Sequence, residues 1–304
     1  MTMINSNPYK YLKLSRTFNE KILVVKLNRP SKLNSINSKM WREIGHLFTN
    51  VDSDARYSSI RCIILSGAGR AFCAGIDIFD GKFNLMSNAA TTEVDTARKF
   101  LAAKGMISNM QACFSALEKS RIPVVAAVNG MCIGAGVDLI CAADIRICTS
   151  NALFSVKEVR LGLAADVGTL QRLPKIVGFS SIVRDICFTG RNFDATEAMN
   201  IGFVSKVLPD EDKLYESVLN LCRSIVSNSP VAVASTKMAL NFSRDHSVNE
   251  GLDYIATHNS AALMTDDLLV SALSLTSKSR RENDKRKADE VGVSYKDLVP
   301  NSKL

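Results

Sequence analysis

Apolar and polar residues alternate along the first half of the chain in segments whose lengths predict strands separated by helices. Runs rich in Ile and Val at 21–27 and 60–66 are typical of strands. Between them, apolar residues recur at helical spacing over 38–51, and a second amphipathic helix is predicted over 96–118. Because strands alternate with helices, we expect right-handed crossovers and a mainly parallel sheet.

A long apolar stretch in the middle of the chain predicts the buried centre of this sheet. Residues 122–128 have the composition of a strand covered on both faces, 134–142 that of a short buried helix, and 144–148 that of a further strand. A proline, an asparagine, glycines and an aspartate interrupt the stretch. It therefore predicts a strand, a turn and a helix rather than a membrane span.

The second half of the chain is predicted to be almost wholly helical from residue 169 onward, with one more strand near 203–207. Asp194 has the position of an N-cap for a helix that starts at Ala195. Further helices are predicted at 229–243 and 247–275. We therefore divide the chain into an α/β core over 1–205, which carries the active site, and a helical C-terminal part over 206–304.

Composition and charge restrict the classes of function. With 46% hydrophobic residues in 304, the chain can bury a sizeable core. The excess of basic over acidic residues, 38 against 30, is compatible with nucleic acid, a membrane surface or a phosphorylated small ligand. The segment 278–290 mixes bases with acids, which is typical of a solvated helix rather than of a nucleic-acid-binding stripe.

The spacing of the cysteines and histidines does not match that of a metal site. The eight cysteines form no CxxC pair and most lie in apolar runs, and the three histidines are scattered. We predict a reduced intracellular compartment and no metal. Trp41, the single tryptophan, lies on a predicted helix and is expected in the core.

Three carboxylates occur in largely apolar sequence: Asp138, Glu158 and Asp166. An apolar setting raises the pKa of a carboxyl group towards neutrality, where the group can both accept and donate protons. These residues are therefore candidates for acid/base catalysis, with structural carboxylates as the alternative.

Two small-residue turns follow predicted strands, one at 67–77 and the other at 134–136. Loops at this edge of a parallel sheet build the binding crevice. Neither turn fits a dinucleotide-binding or P-loop motif. Both expose backbone N–H groups, and two such donors aimed at one oxygen make an oxyanion hole. Two ordinary tight turns remain the alternative.

Four motifs occur in order along the chain: LNRP at 27–30 with Asn34, AFCAGID at 71–77, PVVAAVNG at 123–130 and ADIR at 143–146. With them, the chain resembles the crotonases, the enoyl-CoA hydratase/isomerase superfamily, over about residues 20–275. The resemblance implies an α/β crotonase fold, in which repeated ββα units form a mainly parallel sheet core and a helical C-terminal part forms trimers that pair into hexamers. It also implies acyl-CoA thioester substrates, with no cofactor beyond the CoA of the substrate.

The resemblance also implies site residues. The two backbone N–H groups that hold the thioester oxygen correspond to Ile76 and Ala135, although the family usually has glycine at the second position. Substrate contacts are implied for Ala74, Gly75, Ile76, Asp77, Ile78 and Ala135. Arg29 and Lys32 are candidates to meet the CoA phosphates, or else form solvated surface.

The acids distinguish branches of the family. Hydratases carry a glutamate pair at the positions of Asp138 and Glu158, and here the first is one methylene shorter. With Asp166 as a third acid, the region from Pro123 onward is similar to the Δ3,5-Δ2,4-dienoyl-CoA isomerases. The resemblance implies Asp166 at C2 of the substrate, Glu158 at C6 and Asp138 beside Glu158, with the direction of the proton shuttle left open.

Two other functions are weighed against isomerisation of 3,5-dienoyl-CoA. The first is an enoyl-CoA hydratase or a Δ3-Δ2-enoyl-CoA isomerase, neither of which needs Asp166. The second is a non-catalytic, nucleic-acid-binding member of the family, which the net charge of +8 motivates. Such a member is expected to have lost an acid, and none is missing.

The last three residues, Ser302-Lys303-Leu304, form a peroxisomal address that an import receptor recognises. They predict a location in a peroxisome or a related organelle such as a glycosome. Lys10, Lys13 and Arg16 make a mitochondrial presequence the alternative.

Overall fold

The computed structural model describes residues 2–3, 7–80, 95–268 and 270. Its strands are β1 (Thr2–Met3), β2 (Leu12–Thr17), β3 (Ile22–Leu27), β4 (Cys62–Gly67), β5 (Ala71–Cys73), β6 (Val124–Val128), β7 (Met131–Ile133), β8 (Ile145–Thr149), β9 (Leu153–Ser155), β10 (Phe193–Asp194) and β11 (Lys206–Leu208). Its α-helices are α1 (Ser38–Asn50), α2 (Thr96–Lys119), α3 (Ala135–Cys141), α4 (Thr169–Val177), α5 (Ser180–Thr189), α6 (Ala195–Asn200), α7 (Glu211–Val226), α8 (Pro230–Ser243) and α9 (Val248–Ala262).

The main sheet has seven strands in the order β1-β2-β3-β4-β6-β8-β11. It is parallel from β3 to β11, whereas β1 and β2 are antiparallel additions at one edge. Both faces of its centre are covered, because alternate residues of β4 enter two separate cores: Ile63 and Leu65 face the large core, and Cys62 and Ile64 pack with α7. This explains the continuous apolar strands of the sequence.

A second sheet of four strands, in the order β10-β9-β7-β5, builds the floor of the candidate site. Its strands β5, β7 and β9 are parallel, and each follows its main-sheet neighbour along the chain directly: β4 to β5, β6 to β7 and β8 to β9. With the helix that comes next, each pair is a ββα unit. The expected repeated ββα architecture and mainly parallel sheet are therefore confirmed.

Several predicted boundaries need correction. The helix predicted over 247–275 is interrupted. Its first part, α9, ends at Ala262 and a turn follows, residues 266–268 and 270 are helical again, and 271–275 lie outside the described residues. The strand predicted near 203–207 occupies Lys206–Leu208, because Phe203 and Val204 are apolar as buried loop residues rather than as strand. Asp194 caps α6 as predicted, since its side chain accepts the Glu197 N–H.

The C-terminal part packs on the core. The strand β11, which follows the predicted boundary at 205/206, pairs with β8 and extends the main sheet. The boundary itself stays a prediction, and Ser302-Lys303-Leu304 lie outside the described residues. Within the described ranges, no helix is both long and apolar enough to cross a membrane.

Candidate active site

A cavity of about 170 Å³ between the second sheet, α1 and α2 brings together all three predicted acids and both predicted N–H donors. Its walls are apolar apart from these groups. It is lined by Trp41, Ile76, Met106, Ile107, Met110, Ala135, Asp138, Glu158, Leu161, Leu163, Ala164, Asp166 and Val167.

The Ile76 N–H is left available by the way its neighbours pair. Ile36 donates its N–H to Gly75 O at 2.8 Å and accepts the Asp77 N–H at 2.9 Å. Ile76 lies between Gly75 and Asp77, and in this parallel bridge its own N–H points away from Ile36. Among the described residues, the Ile76 N–H has no acceptor, so it can donate to a ligand.

The Ala135 N–H is available for a different reason. Ala135 is the first residue of α3, and the first N–H groups of a helix have no partner within it. The preceding Gly134 has φ 53°, and a Cβ placed on it would lie 3.2 Å from Glu158 Oε1 and 3.9 Å from Gly75 Cα. The two turns therefore abut, and Glu158 lies directly beside them.

Asp138 is completely buried on α3. Its Oδ1 accepts the Thr169 N–H at 2.7 Å, while Oδ2 has no hydrogen-bond partner among the described residues. Burial raises the pKa of Asp138 to about 6, partly opposed by the hydrogen bond from Thr169. The side chain is therefore a buried acid that can change its protonation near neutral pH.

Glu158 begins a short 3-10 helix, Glu158–Leu161, after β9. Burial and then the charge of Asp138 raise its pKa to about 7. Its Oε2 has no hydrogen-bond partner among the described residues. A carboxyl group that lines a cavity and has a pKa near neutrality is suited to general acid/base chemistry.

Asp166 lines the cavity and is exposed to solvent. Partial burial raises the pKa of its carboxyl group. Its backbone carbonyl accepts from the Gln111 side chain at 2.6 Å, which ties this loop to α2. The third acid therefore combines a raised pKa with access to solvent.

Other predicted substrate contacts lie outside the cavity wall. Of the described residues, Ala74, Gly75, Asp77 and Ile78 do not line it. Asp77 instead forms an ion pair with Arg29, so neither charge is simply solvated surface. Ile78 is exposed next to the described end of the loop. Their roles in substrate binding stay predictions.

The apolar wall was not foreseen as part of a site. Trp41 is a core residue, as expected, but it also lines the cavity. Its ring is stacked on that of Phe114, with 4.3 Å between the ring centres. Its indole N–H donates to Met110 O at 3.1 Å, which fixes α1 to α2. Helical periodicity marks such residues as buried without telling which of them face a ligand. Among the described residues, no group of three or more His, Cys, Asp or Glu is placed to hold a metal ion.

Comparisons with known proteins give one consistent result. The model of the family described as enoyl-CoA hydratase/isomerase matches residues 17–268. A mitochondrial Delta(3,5)-Delta(2,4)-dienoyl-CoA isomerase of Rattus norvegicus is 46% identical over 250 residues, which are 82% of this chain and 75% of that protein. A peroxisomal one of Arabidopsis thaliana is 41% identical over 275 residues, 90% of this chain and 97% of that protein.

Solved structures agree on the fold. The enoyl-CoA hydratase from Bacillus anthracis superposes with a TM-score of 0.77 at 26% identity, covering 88% of this chain and 97% of that one. A putative enoyl-CoA hydratase from Thermobifida fusca in complex with acetoacetyl-CoA gives a TM-score of 0.70 at 26% identity, covering 83% and 94%.

Proposed function

Since the chain belongs to the enoyl-CoA hydratase/isomerase family, we propose that it isomerises 3,5-dienoyl-CoA to 2,4-dienoyl-CoA. The observation that carries this proposal is the presence of three carboxyl groups, Asp138, Glu158 and Asp166, in one apolar cavity beside two free N–H donors. The names of the relatives from rat and Arabidopsis support it.

The N–H groups of Ile76 and Ala135 hold the thioester oxygen. Removal of a proton from C2 places negative charge on this oxygen, as a dienolate that extends to C6. Hydrogen bonds to the oxygen are stronger to the dienolate than to the neutral thioester, so they lower the barrier. Loss of one such donor typically costs a factor of about 10²–10³ in kcat.

The position of Glu158 supports a role for its carboxylate at C2. C2 is bonded to the thioester carbon, whose oxygen lies in the oxyanion hole. Glu158 Oε1 is 3.2 Å from the Cβ position on Gly134, next to the Ala135 donor. The resemblance alone placed Asp166 at C2 and Glu158 at C6, and we propose the opposite placement on this geometry.

The proton balance follows. The Glu158 carboxylate takes a proton from C2, and the electron pair of that C–H bond moves into the dienolate. The carboxyl group of Asp166 donates its proton to C6, and the double bonds shift from 3,5 to 2,4. The enzyme returns to its starting state when Glu158 releases its proton and Asp166 gains one, and the exposed position of Asp166 allows exchange with solvent.

Asp138 has an indirect role in this scheme. Its negative charge raises the pKa of Glu158, which makes Glu158 a stronger base. The hydrogen bond from Thr169 keeps Asp138 oriented. The scheme moves protons within one substrate and transfers no net electrons, so it uses no redox cofactor, and CoA takes part only as a portion of the substrate.

We also propose a trimer-based assembly, formed through the C-terminal helices. Large apolar side chains are exposed on and just after α8 and α9: Leu240, Val248, Leu252, Leu263 and Met264. Several large exposed apolar side chains on neighbouring elements support an interaction surface there. Sedimentation velocity would test the proposal, and a monomer at micromolar concentration would refute it.

For location, we propose a peroxisome or a related organelle. The Arabidopsis relative is named peroxisomal and the rat relative mitochondrial. Localisation of the full chain, with and without Ser302-Lys303-Leu304, distinguishes the two organelles: loss of peroxisomal import on their removal would support the proposal, whereas uptake into mitochondria in both forms would contradict it.

The reaction is tested by ultraviolet absorbance on a 3,5-dienoyl-CoA. The 2,4-dienoyl thioester has longer conjugation and absorbs at longer wavelength, so the wild-type protein is expected to produce the new band and the Glu158→Gln variant to lose it. Water addition to a 2-enoyl-CoA without any isomerisation would instead identify a hydratase.

A further inference from the structure

We propose that Arg29 is a positioning residue for the reaction, which acts on the oxyanion hole through Asp77. The Arg29 Nη2 donates to Asp77 Oδ2 at 2.8 Å, and only 12% of the Arg29 side chain and 13% of the Asp77 side chain are exposed. Asp77 directly follows Ile76, whose N–H is one of the two donors. This inference rests on the proposed function, since it concerns the same site.

Arg29 is held on several sides, so it can act as a fixed anchor. Its Nη1 donates to Ser35 O at 2.5 Å. The guanidinium carbon lies 5.2 Å from the centre of the Tyr11 ring, a cation–π contact. A planar guanidinium that contacts a carboxylate, a carbonyl and a ring has little freedom to turn towards a ligand.

Asp77 transmits this anchoring to the loop. Its Oδ2 meets Arg29, its Oδ1 accepts the Phe79 N–H at 3.3 Å, and its own N–H donates to Ile36 O at 2.9 Å. Both the side chain and the backbone of the residue after Ile76 are therefore fixed. The direction of the Ile76 N–H depends on these contacts, because the peptide plane turns with the residues on either side of it.

The same short segment is joined to the sheet by a second buried side chain. Asn34 is fully buried, and its Oδ1 accepts the Arg29 N–H at 2.8 Å. Its Nδ2 donates to Ala68 O and Ala71 O, both at 2.8 Å. The Asn34 side chain thus joins the backbone of Arg29 to both ends of the turn that leads into β5. The ion pair between Arg29 and Asp77 then joins Arg29 to the residue that follows Ile76.

The functional consequence follows from the reaction. The negative charge on the thioester oxygen is greatest in the dienolate, so a misdirected N–H donor weakens the transition state more than the bound substrate. Loss of Arg29 or Asp77 is therefore expected to lower kcat and to leave KM nearly unchanged. A contact between Arg29 and the CoA phosphates would have the opposite signature.

The experiment compares two substrates with the same diene: a CoA thioester and an N-acetylcysteamine thioester, which lacks the phosphates. Arg29→Gln and Asp77→Asn are each expected to lower kcat about 10- to 100-fold on both substrates, a part of the loss that follows removal of a whole donor. The double variant should be no worse than the poorer single variant, because both changes break one contact. Arg29→Lys keeps the positive charge but not the planar guanidinium with its several N–H donors, so its kcat should lie between those of the single variants and that of the wild type.

The exposed Arg42 on α1 offers a matched control, and Arg42→Gln should keep wild-type kcat. Rates are expressed per binding site, titrated with a non-reacting acyl-CoA, so that loss of folded protein is not counted as loss of rate. A raised KM on the CoA thioester alone would show that Arg29 binds phosphate. An unchanged kcat per site would show a purely structural pair. Either result overturns the proposal.

A spectroscopic measurement separates this proposal from the proposed function. The thioester C=O stretch of a bound acyl-CoA shifts to lower frequency when the oxyanion hole polarises it. In Arg29→Gln and Asp77→Asn this shift should shrink, and in Arg42→Gln it should not. The measurement holds for any acyl-CoA that binds, so it stays decisive even if the wild-type protein fails to isomerise dienes; an undiminished shift would refute the positioning role.

Discussion

The backbone N–H of Thr169 donates to the buried Asp138 across 2.7 Å, so the first residue of α4 orients an acid that belongs to α3. This contact depends on Gly168, which precedes α4 with φ 135°. A Cβ at Gly168 would lie 1.8 Å from an Arg172 nitrogen, and Arg172 pairs with Glu118 at 3.0 Å.

Gly168→Ala should therefore reduce both stability and activity. The strained φ alone costs about 1–3 kcal/mol. Relief of that strain would turn the peptide between residues 168 and 169, which carries the N–H that Thr169 donates to Asp138. Urea unfolding and kcat measure the two effects. Gly178, with φ 73° and open space around it, is the control: Gly178→Ala should carry backbone strain but keep kcat. Equal kcat in both variants would argue against the role of the Thr169 contact.

The roles proposed for Glu158 and Asp166 can be separated by hydrogen exchange at C2 in D₂O. Both Glu158→Gln and Asp166→Asn should reduce isomerisation by about 10²–10⁴, the range for loss of an acid or base. Asp166→Asn should still exchange the C2 hydrogen, because Glu158 can remove the proton and return a deuteron. Glu158→Gln should not. Mass spectrometry of recovered substrate measures the exchange, and the reverse pattern would place Asp166 at C2.

Stability should depend on pH through Glu158. Its pKa is raised from 4.5 to about 7 in the folded chain. The folded state therefore binds more protons than the unfolded state, and this contribution is fully present below about pH 4.5 and is lost as the pH rises through about 7. Glu158→Gln stays neutral, so it should be more stable than wild type at pH 8 by about 1–3 kcal/mol and equal to it at pH 4.

Urea unfolding at both pH values checks this prediction. The exposed Glu216, whose pKa is lowered by its hydrogen bond with Lys213, provides the comparison. Glu216→Gln should not reproduce the gain in stability at pH 8. A Glu158→Gln variant that is less stable than wild type at pH 8 would mean that the carboxylate is stabilised by partners in the folded chain.

Ala135 can be tested by substitution with proline, whose ring Cδ replaces the N–H hydrogen and therefore both removes the donor and fills its place in the oxyanion hole. It is the first residue of α3, a position that tolerates proline because the N–H there has no partner within the helix. Ala135→Pro should lower kcat about 10²–10³-fold with little loss of helix, whereas Ala135→Gly keeps the N–H and should retain activity. Steady-state kinetics measure kcat, and circular dichroism measures the helix content. An active proline variant would exclude this N–H from catalysis.

The attachment of α8 to the core depends on Lys237. Its Nζ donates to Leu117 O at 3.1 Å, Ile122 O at 3.0 Å and Asp144 Oδ2 at 2.8 Å, and its side chain is 5% exposed. Lys237→Met leaves the Asp144 carboxylate without its charged partner, with only the Val124 N–H still donating to it, so it should cost about 3–5 kcal/mol.

Denaturant unfolding of three variants tests this attachment. Adding Asp144→Asn to Lys237→Met should recover part of the loss, because the two residues are coupled. Lys175→Met breaks an exposed pair with Asp245 and should cost less than about 1 kcal/mol. Strictly additive losses would show that Lys237 and Asp144 do not act as a pair.

The main sheet and the helices of the core follow from hydrophobic periodicity. Val124–Val128 is apolar and buried throughout, and Ile22–Leu27 is apolar and buried except at the half-buried Lys26. The second sheet does not follow from it. Its strands have two or three residues, as in Ala71–Cys73 and Met131–Ile133, which is too short for any period to show. Their pairing is set by contacts with distant segments rather than by local preference.

The chemical groups of the site could be predicted from the sequence: acids in apolar surroundings and two turns that follow strands. Each of these features is local, since a carboxylate between apolar residues or a glycine in a turn is recognised from a few neighbouring residues. Their arrangement could not be predicted in this way and is set by tertiary packing: Glu158 lies beside the Ala135 turn, and Asp77 is paired with Arg29, 48 residues away. Distances of this kind arise from the packing of ββα units on one another, which no single segment encodes.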